Sequence, residues 1–176
     1  MNKLHIPPLD EQAAKTALEH QKILAKPPLA LGKLEPVAIQ IAAMTGNPAP
    51  RLKDKAVVLF AADHHIADHG LSLTSTDVTY IQTRNFLQGG GTINAFTRNA
   101  GARLSVVDVG VNYDFGDLPG LVKRKVMHGA NDFSRGPAMT REQALECLQV
   151  GIDMAREEKA RGLDIVAAGE MGIGNT

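Results

Sequence analysis

Apolar residues fall along this chain in two rhythms, and the change between them divides it. In the first fifty residues they recur every three or four positions. Between Leu9 and Lys26, the residues Ala13, Ala14, Ala17, Leu18 and Leu24 sit near helical spacing with charges between them, which predicts an amphipathic helix. Pro7 and Pro8 precede it, Asp10 and Glu11 suit its first turn, and Pro27-Pro28 ends it. A second stripe, Leu34, Val37, Ala38, Ile41 and Ala42, predicts a helix from Leu31 to Met44. Proline is tolerated only at a helix start, so Pro36 moves that start toward Glu35. Gly46 to Pro50 reads as a linker. Two helices with so little to cover their apolar stripes are expected to dock elsewhere, on another surface or another subunit.

Beyond residue 50 the rhythm becomes one of short continuous apolar runs, the pattern of strands buried on both faces of a parallel sheet. Ala56–Ala62, Leu104–Gly110 and Ile165–Ala168 are read as such strands, and Leu121–Met127 as a third-position, more exposed one. Helices are predicted between them over Val78–Leu87 and Thr92–Asn99, the latter ended by Gly101. Thr140 followed by Gln143 is a capping-box pattern, and the long helix it opens is expected to bury Ala144, Leu145, Leu148, Gly151, Ile152 and Ala155 before Gly162 ends it. Strand, helices, strand, long helix, strand predicts an α/β fold: a three-layer, mostly parallel, doubly wound sheet with an N-terminal helical segment. The expected division is residues 1–50 for the helical segment and 51–176 for the α/β core.

Composition narrows the function classes. Lysine plus arginine equals aspartate plus glutamate at 19 each, so no net charge points to nucleic acid or an anionic membrane. Aromatics at 4% are too few for base-stacking platforms. The single cysteine, Cys147, cannot form an internal disulfide, which fits a reducing compartment. No apolar run reaches the roughly 18 residues that span a bilayer, and the first residues lack the apolar core of a signal peptide. The expectation is a soluble, cytoplasmic protein.

Candidate chemistry concentrates at the end of the chain. After Ile165–Ala168 comes a stretch expected to be a loop, with Gly169, Glu170, Gly172, Gly174 and the polar pair Asn175 and Thr176. Glycines after a strand let the backbone turn and bring bare N–H groups to an anion, and ligands of open α/β sheets sit beyond the carboxyl ends of the strands. Glu170 is the prime candidate for chemistry, as a base or as a group that orients a base-bearing substrate; the alternative is a pairing with a nearby loop donor. Asp63-His64-His65 with His69 has metal-ligand residue types at a strand's carboxyl end, but a polar cluster shaping a pocket accounts for it better, and no metal is expected. Gly89-Gly90-Gly91 matches neither a P-loop nor a dinucleotide fingerprint. Thr74, Ser75, Thr76 and Gln82 offer the polar edge a flat heteroaromatic ligand needs, and Asp108 is read as structural.

Several stretches in order carry a resemblance: Ile23–Glu35, Phe60–His64, Thr74–Gln82, Val106–Gly110, Gly136–Thr140 and Gly169–Thr176. Together they resemble the nicotinate-nucleotide–dimethylbenzimidazole phosphoribosyltransferases of cobalamin nucleotide-loop assembly, over the N-terminal half of that family's length. The resemblance implies transfer of phosphoribose from nicotinate mononucleotide to a benzimidazole nitrogen, with inversion, release of nicotinate and no cofactor. It places Thr74 and Gln82 at the base, and Glu170, Gly172, Gly174 and Asn175 at the phosphoribosyl end. It also implies a homodimer for a full-length protein. Members usually read Gly-Ser where Leu29-Ala30 stands, Arg at Lys33, and Gly at His65. The principal catalytic glutamate and a phosphate-binding lysine of the family belong to its C-terminal half, so this chain alone is expected to be catalytically incomplete. A non-catalytic binding or partner-assembly module is the rival reading. A weaker one rests on Asp63-His64-His65, which resembles one motif of the DHH metal phosphoesterases without the upstream acidic motif that family needs.

Overall fold

The computed structural model describes residues 5–175; residues 1–4 and Thr176, one of the polar pair expected at the site, lie outside them. Two compact units divide the chain, Asn2–Leu52 and Lys53–Thr176.

The first unit is a helical hairpin of α1 (Glu11–Ile23) and α2 (Leu34–Thr45). Asp10 caps α1 by accepting from the Ala13 N–H at 2.8 Å, and its own N–H donates to Ala43 O at 2.9 Å, which ties the helix start to the end of α2. Small side chains, Ala13, Ala17, Ala42 and Ala43, are the buried contacts between the helices, while Leu18, Leu34, Val37 and Met44 remain exposed. In the connection, Glu35 is buried and accepts from Lys26 Nζ at 2.7 Å and the Leu31 N–H at 3.2 Å.

The second unit is a sheet in the order β3-β2-β1-β4, built from β1 (Lys55–Ala62), β2 (Ala102–Gly110), β3 (Leu121–Lys123) and β4 (Ile165–Met171), with every pair parallel. Helices α3 (Val78–Leu87) and α4 (Thr92–Ala100) lie on one face and α5 (Arg141–Ala160) on the other. Period-two alternation along β1 explains the two cores. Leu59 and Ala61 pack with Val106, Tyr80, Phe86 and Ile93, whereas Val58 packs with Val107, Val150 and Met154. The expected three-layer parallel architecture is therefore present. Thr140 and Gln143 form the expected capping box at the head of α5.

Four local expectations need correcting. The final strand runs on through Gly169 and Glu170 to Met171, so those two residues are strand, not loop. Among the described residues it is also an outer strand that pairs only with β1, and Ile165 and Val166 are 44% and 47% exposed rather than buried. A run of four apolar residues looks the same in an outer and a central strand. The third strand stops at Lys123, four residues short, because Lys125 turns its amine inward to Asp108 Oδ2 at 2.9 Å and to the carbonyls of Val111 and Tyr113. The buried stripe of α5 is Val150, Met154 and Glu158, while Leu145, Leu148 and Ala155 are exposed. A charge occupies the innermost face of that helix because Glu158 accepts from Ser105 Oγ at 2.8 Å, Arg103 at 3.1 Å and Arg161 at 3.0 Å. The polar stretch after β1 contains a 3-10 turn, His65–His69.

Candidate active site

The chain enters the sheet at β1, moves outward through β2 and β3, then crosses back under α5 to place β4 on the other side of β1. The winding reverses between β1 and β4. At such a reversal the segments leaving two adjacent strands diverge to opposite faces, and a crevice opens at the carboxyl ends.

Glu170 stands in register with Phe60. Neighbours in register share a face, so Glu170 is directed to the α5 side, while Met171, in register with Ala61, packs into the α3 side. Glu170 lies exposed at the wall of a recess it shares with Phe60, Ala62, His64, Met171 and Asn175. The loop after β4 is pressed onto the end of β1. A Cβ on Gly172 would stand 2.0 Å from Ala62 O, a separation no side chain tolerates, so only glycine lets the loop cross there. Gly174 adopts φ +85° against Ile66 and Ala67. The Asn175 N–H donates to Gly172 O at 3.3 Å, and the Ile173 N–H to Thr79 Oγ1 at 3.2 Å, anchoring the loop to α3.

The Asp63-His64-His65-His69 run is dispersed by its own hydrogen bonds. Asp63 is buried and accepts from the Asn112 N–H at 2.7 Å. His65 bridges Asp68 Oδ2 at 3.0 Å and His128 O at 3.3 Å, and the hydrogen bond to Asp68 raises it above an ordinary histidine. His69 holds Asp132 at 2.7 Å; with Ser134 also donating, the Asp132 carboxyl falls to about 2. Among the described residues, no group of three or more His, Cys, Asp or Glu side chains is placed to hold a metal ion. His64 alone turns to the crevice. Burial pushes its pKa down, with Asp63 and Glu170 pulling the other way, so the ring is neutral near pH 7.

His64 also borders an open apolar cleft of about 350 Å³ beneath α5, lined by Phe60, Ala62, Val109, Met127, Met139 and Leu148 among others. On the opposite face, His64 closes a small polar pocket of about 90 Å³ with Asp63, Thr76 and Tyr80. The structure thus brings Glu170, Asn175 and the Gly172–Gly174 loop together. Thr74 and Gln82 stand apart from that recess on the α3 side: Thr74 Oγ1 meets Ser72 Oγ at 3.0 Å, and Gln82 accepts from Asn85 at 3.1 Å on the outer surface of α3. Sequence reasoning missed His64 as an individual and missed the α5 cleft. The available signal was a histidine two residues past an apolar strand.

A family model described as phosphoribosyltransferase matches residues 6–176. The chain is 48% identical over 169 residues to a nicotinate-nucleotide–dimethylbenzimidazole phosphoribosyltransferase of Geobacter sulfurreducens, covering 96% of this chain and 48% of that one. It is 47% identical over 172 residues to the protein of that name from Chloroflexus aggregans, covering 98% and 49%. A crystal structure of the protein so named from Thermus thermophilus superposes with a TM-score of 0.91 at 44% identity, covering 95% of this chain and 51% of that one. The chain spans about half the length of these relatives.

Proposed function

This chain belongs to the phosphoribosyltransferase family that its residues 6–176 match, and from that membership we propose that it serves the transfer of phosphoribose from nicotinate mononucleotide to 5,6-dimethylbenzimidazole. The products are α-ribazole 5'-phosphate and nicotinate, within cobalamin nucleotide-loop assembly. The observation that carries the reading is the position of Glu170, a carboxylate at the sheet's reversal, beside a loop that glycine alone lets cross the end of β1. Gly172, Gly174 and Asn175 are assigned to the phosphoribosyl group, whose anionic oxygens suit close backbone N–H groups. Glu170 is assigned to the reacting centre, receiving or holding the proton of the azole. Thr74 and Gln82 are assigned to the edge of the azole from the α3 side. The protein is placed in the cytoplasm, where its one cysteine stays reduced, and a full-length form is expected to be a homodimer.

The test is formation of α-ribazole 5'-phosphate by this chain, alone and mixed with a polypeptide matching the remaining half of its relatives. Product is expected in the mixture, and Glu170→Gln should lower its rate by about 100-fold while the variant stays folded. Absence of product in both preparations, or a Glu170→Gln variant that loses thermal stability but keeps its rate, would overturn the assignment.

A further inference from the structure

His64 belongs to none of the assignments above, although it stands between two cavities of the fold. The recess of about 300 Å³ that holds Glu170 and the polar pocket of about 90 Å³ on the opposite face share one lining residue, His64. The loop after β4 keeps the ring there: a Cβ on Gly172 would stand 3.2 Å from His64 Cδ2, so the glycine crosses over the edge of the imidazole. On the pocket side lies Asp63, 8% exposed, with Oδ2 accepting from the Asn112 N–H at 2.7 Å. Its Oδ1 is buried without a hydrogen-bond partner among the described residues. A buried carboxylate oxygen left unpaired costs free energy until a proton donor reaches it.

The groups facing His64 are acidic on both sides. The recess contributes Glu170, and the pocket contributes Asp63, Asp68 and Asp77, with His65 turned to Asp68. From α5 the cleft adds Cys147, whose thiol burial keeps protonated. Burial holds the His64 ring neutral at rest, while carboxylates on either side favour its brief protonation. We propose that His64 is a positioning residue that acts through Glu170, relaying the azole proton across the end of the sheet to Asp63. The inference rests on the assignment of Glu170 to the reacting centre. As the azole N–H bond breaks, its electron pair stays on the azole nitrogen and the proton passes to the Glu170 carboxylate. Imidazole is ordinarily the stronger base by about two pH units, so one ring nitrogen of His64 takes that proton and Glu170 is charged again. The imidazolium gives up the proton on its other nitrogen to Asp63 Oδ1, from which it leaves to solvent, and a half-turn of the ring restores the starting tautomer.

Two measurements test the relay, one of them independent of the transfer reaction. NMR titration of the His64 ring in the chain alone should give a midpoint that falls in Glu170→Gln and also in Asp63→Asn, since each removes a carboxylate facing the ring. A midpoint indifferent to either substitution would overturn the relay. The second measurement uses the two-part mixture that forms product. There His64→Gln should lower kcat on the order of 100-fold with the KM for the azole little changed, and added imidazole should restore part of the rate. Asp63→Asn keeps an acceptor for the Asn112 N–H and should also lower kcat without raising KM, so it carries the kinetic test should His64→Gln fail to fold. Variants that raise KM alone, or that lose thermal stability with no rescue by imidazole, would make His64 a packing residue and overturn the relay. A mixture that makes no product overturns the transfer reading and the relay together. Product formed at an unchanged kcat in both variants defeats the relay and leaves the reaction standing.

Discussion

Leu29 holds φ +62° while its side chain is exposed, so the residue bears backbone strain without burial in return. The left-handed region brings Cβ against the following carbonyl at a cost of about 1–2 kcal/mol, part of which glycine would return through its freer unfolded chain. Leu29→Gly is therefore expected to raise stability by about 0.5–1 kcal/mol, and Leu29→Ala, which keeps the Cβ, should not. Urea midpoints for the two variants check this; equal shifts would show that the strain is not at Cβ. The resemblance read from the sequence implies glycine at this position, and the positive φ of Leu29 is a backbone conformation that favours glycine. At the site, the same scale shows what was legible. Glu170 and the glycines announced themselves because a carboxylate among glycines after an apolar run has few other uses. His64 did not, since Asp63, His64, His65 and His69 are chemically alike on paper. Only the donors and acceptors that claim the other three, Asn112, Asp68, His128 and Asp132, leave His64 facing the crevice.

At the scale of elements, caps and turns proved the clearest signals because they are local: Asp10, Thr140 with Gln143, and Gly101 each end or begin a helix through bonds to residues within four positions. Which face a helix buries is not local. The apolar periodicity of α5 favoured Leu145, Leu148 and Ile152, yet the sheet beneath offers Ser105 and Arg103 at the place where Glu158 comes down, and a satisfied carboxylate decides the rotation. Burial pushes the pKa of Glu158 up, but Ser105, Arg103 and Arg161 together outweigh it and hold the group below its ordinary value. Charge-assisted hydrogen bonds of this kind contribute more than exposed ones, so Glu158→Gln should cost about 1–3 kcal/mol. Its neighbour Glu157 pairs with Arg124 at 2.8 Å with both side chains about 40% exposed, and Glu157→Gln should cost at most about 0.5 kcal/mol. Denaturant unfolding of both variants measures the contrast, and equal losses would remove Glu158 from its anchoring role.

For the whole molecule, parallel pairing puts every carboxyl end on one side, and the strand order then decides which two ends enclose the crevice. That order was beyond the reach of periodicity, which identifies strands without naming their neighbours; β1 is central because β2 and β4 both pair with it over most of its length. The acid response of the fold follows from groups tied across the same edge. Asp132, bonded by His69 and Ser134, has a folded value near 2 against an ordinary 3.8. A depressed carboxyl contributes stability that is complete above 3.8 and is lost as pH falls toward about 2. Histidines act in opposite senses: His65, raised by Asp68, contributes stability below the unfolded value of 6.5 that is lost as pH rises through its folded value. His64, lowered by burial, withdraws stability as pH drops below 6.5. The two histidines thus act in opposite directions between about pH 8 and pH 5, whereas the Asp132 contribution is lost only below its ordinary value of 3.8. Asp132→Asn keeps the shape and removes the charge, so it should melt lower than the wild type at neutral pH, with the gap closing between 3.8 and about 2. Melting curves across that range decide the matter: a gap that stays constant to the acid end would mean that Asp132 stabilises the loop through packing and neutral hydrogen bonds, and that its charge is not what ties His69 to the edge of the site.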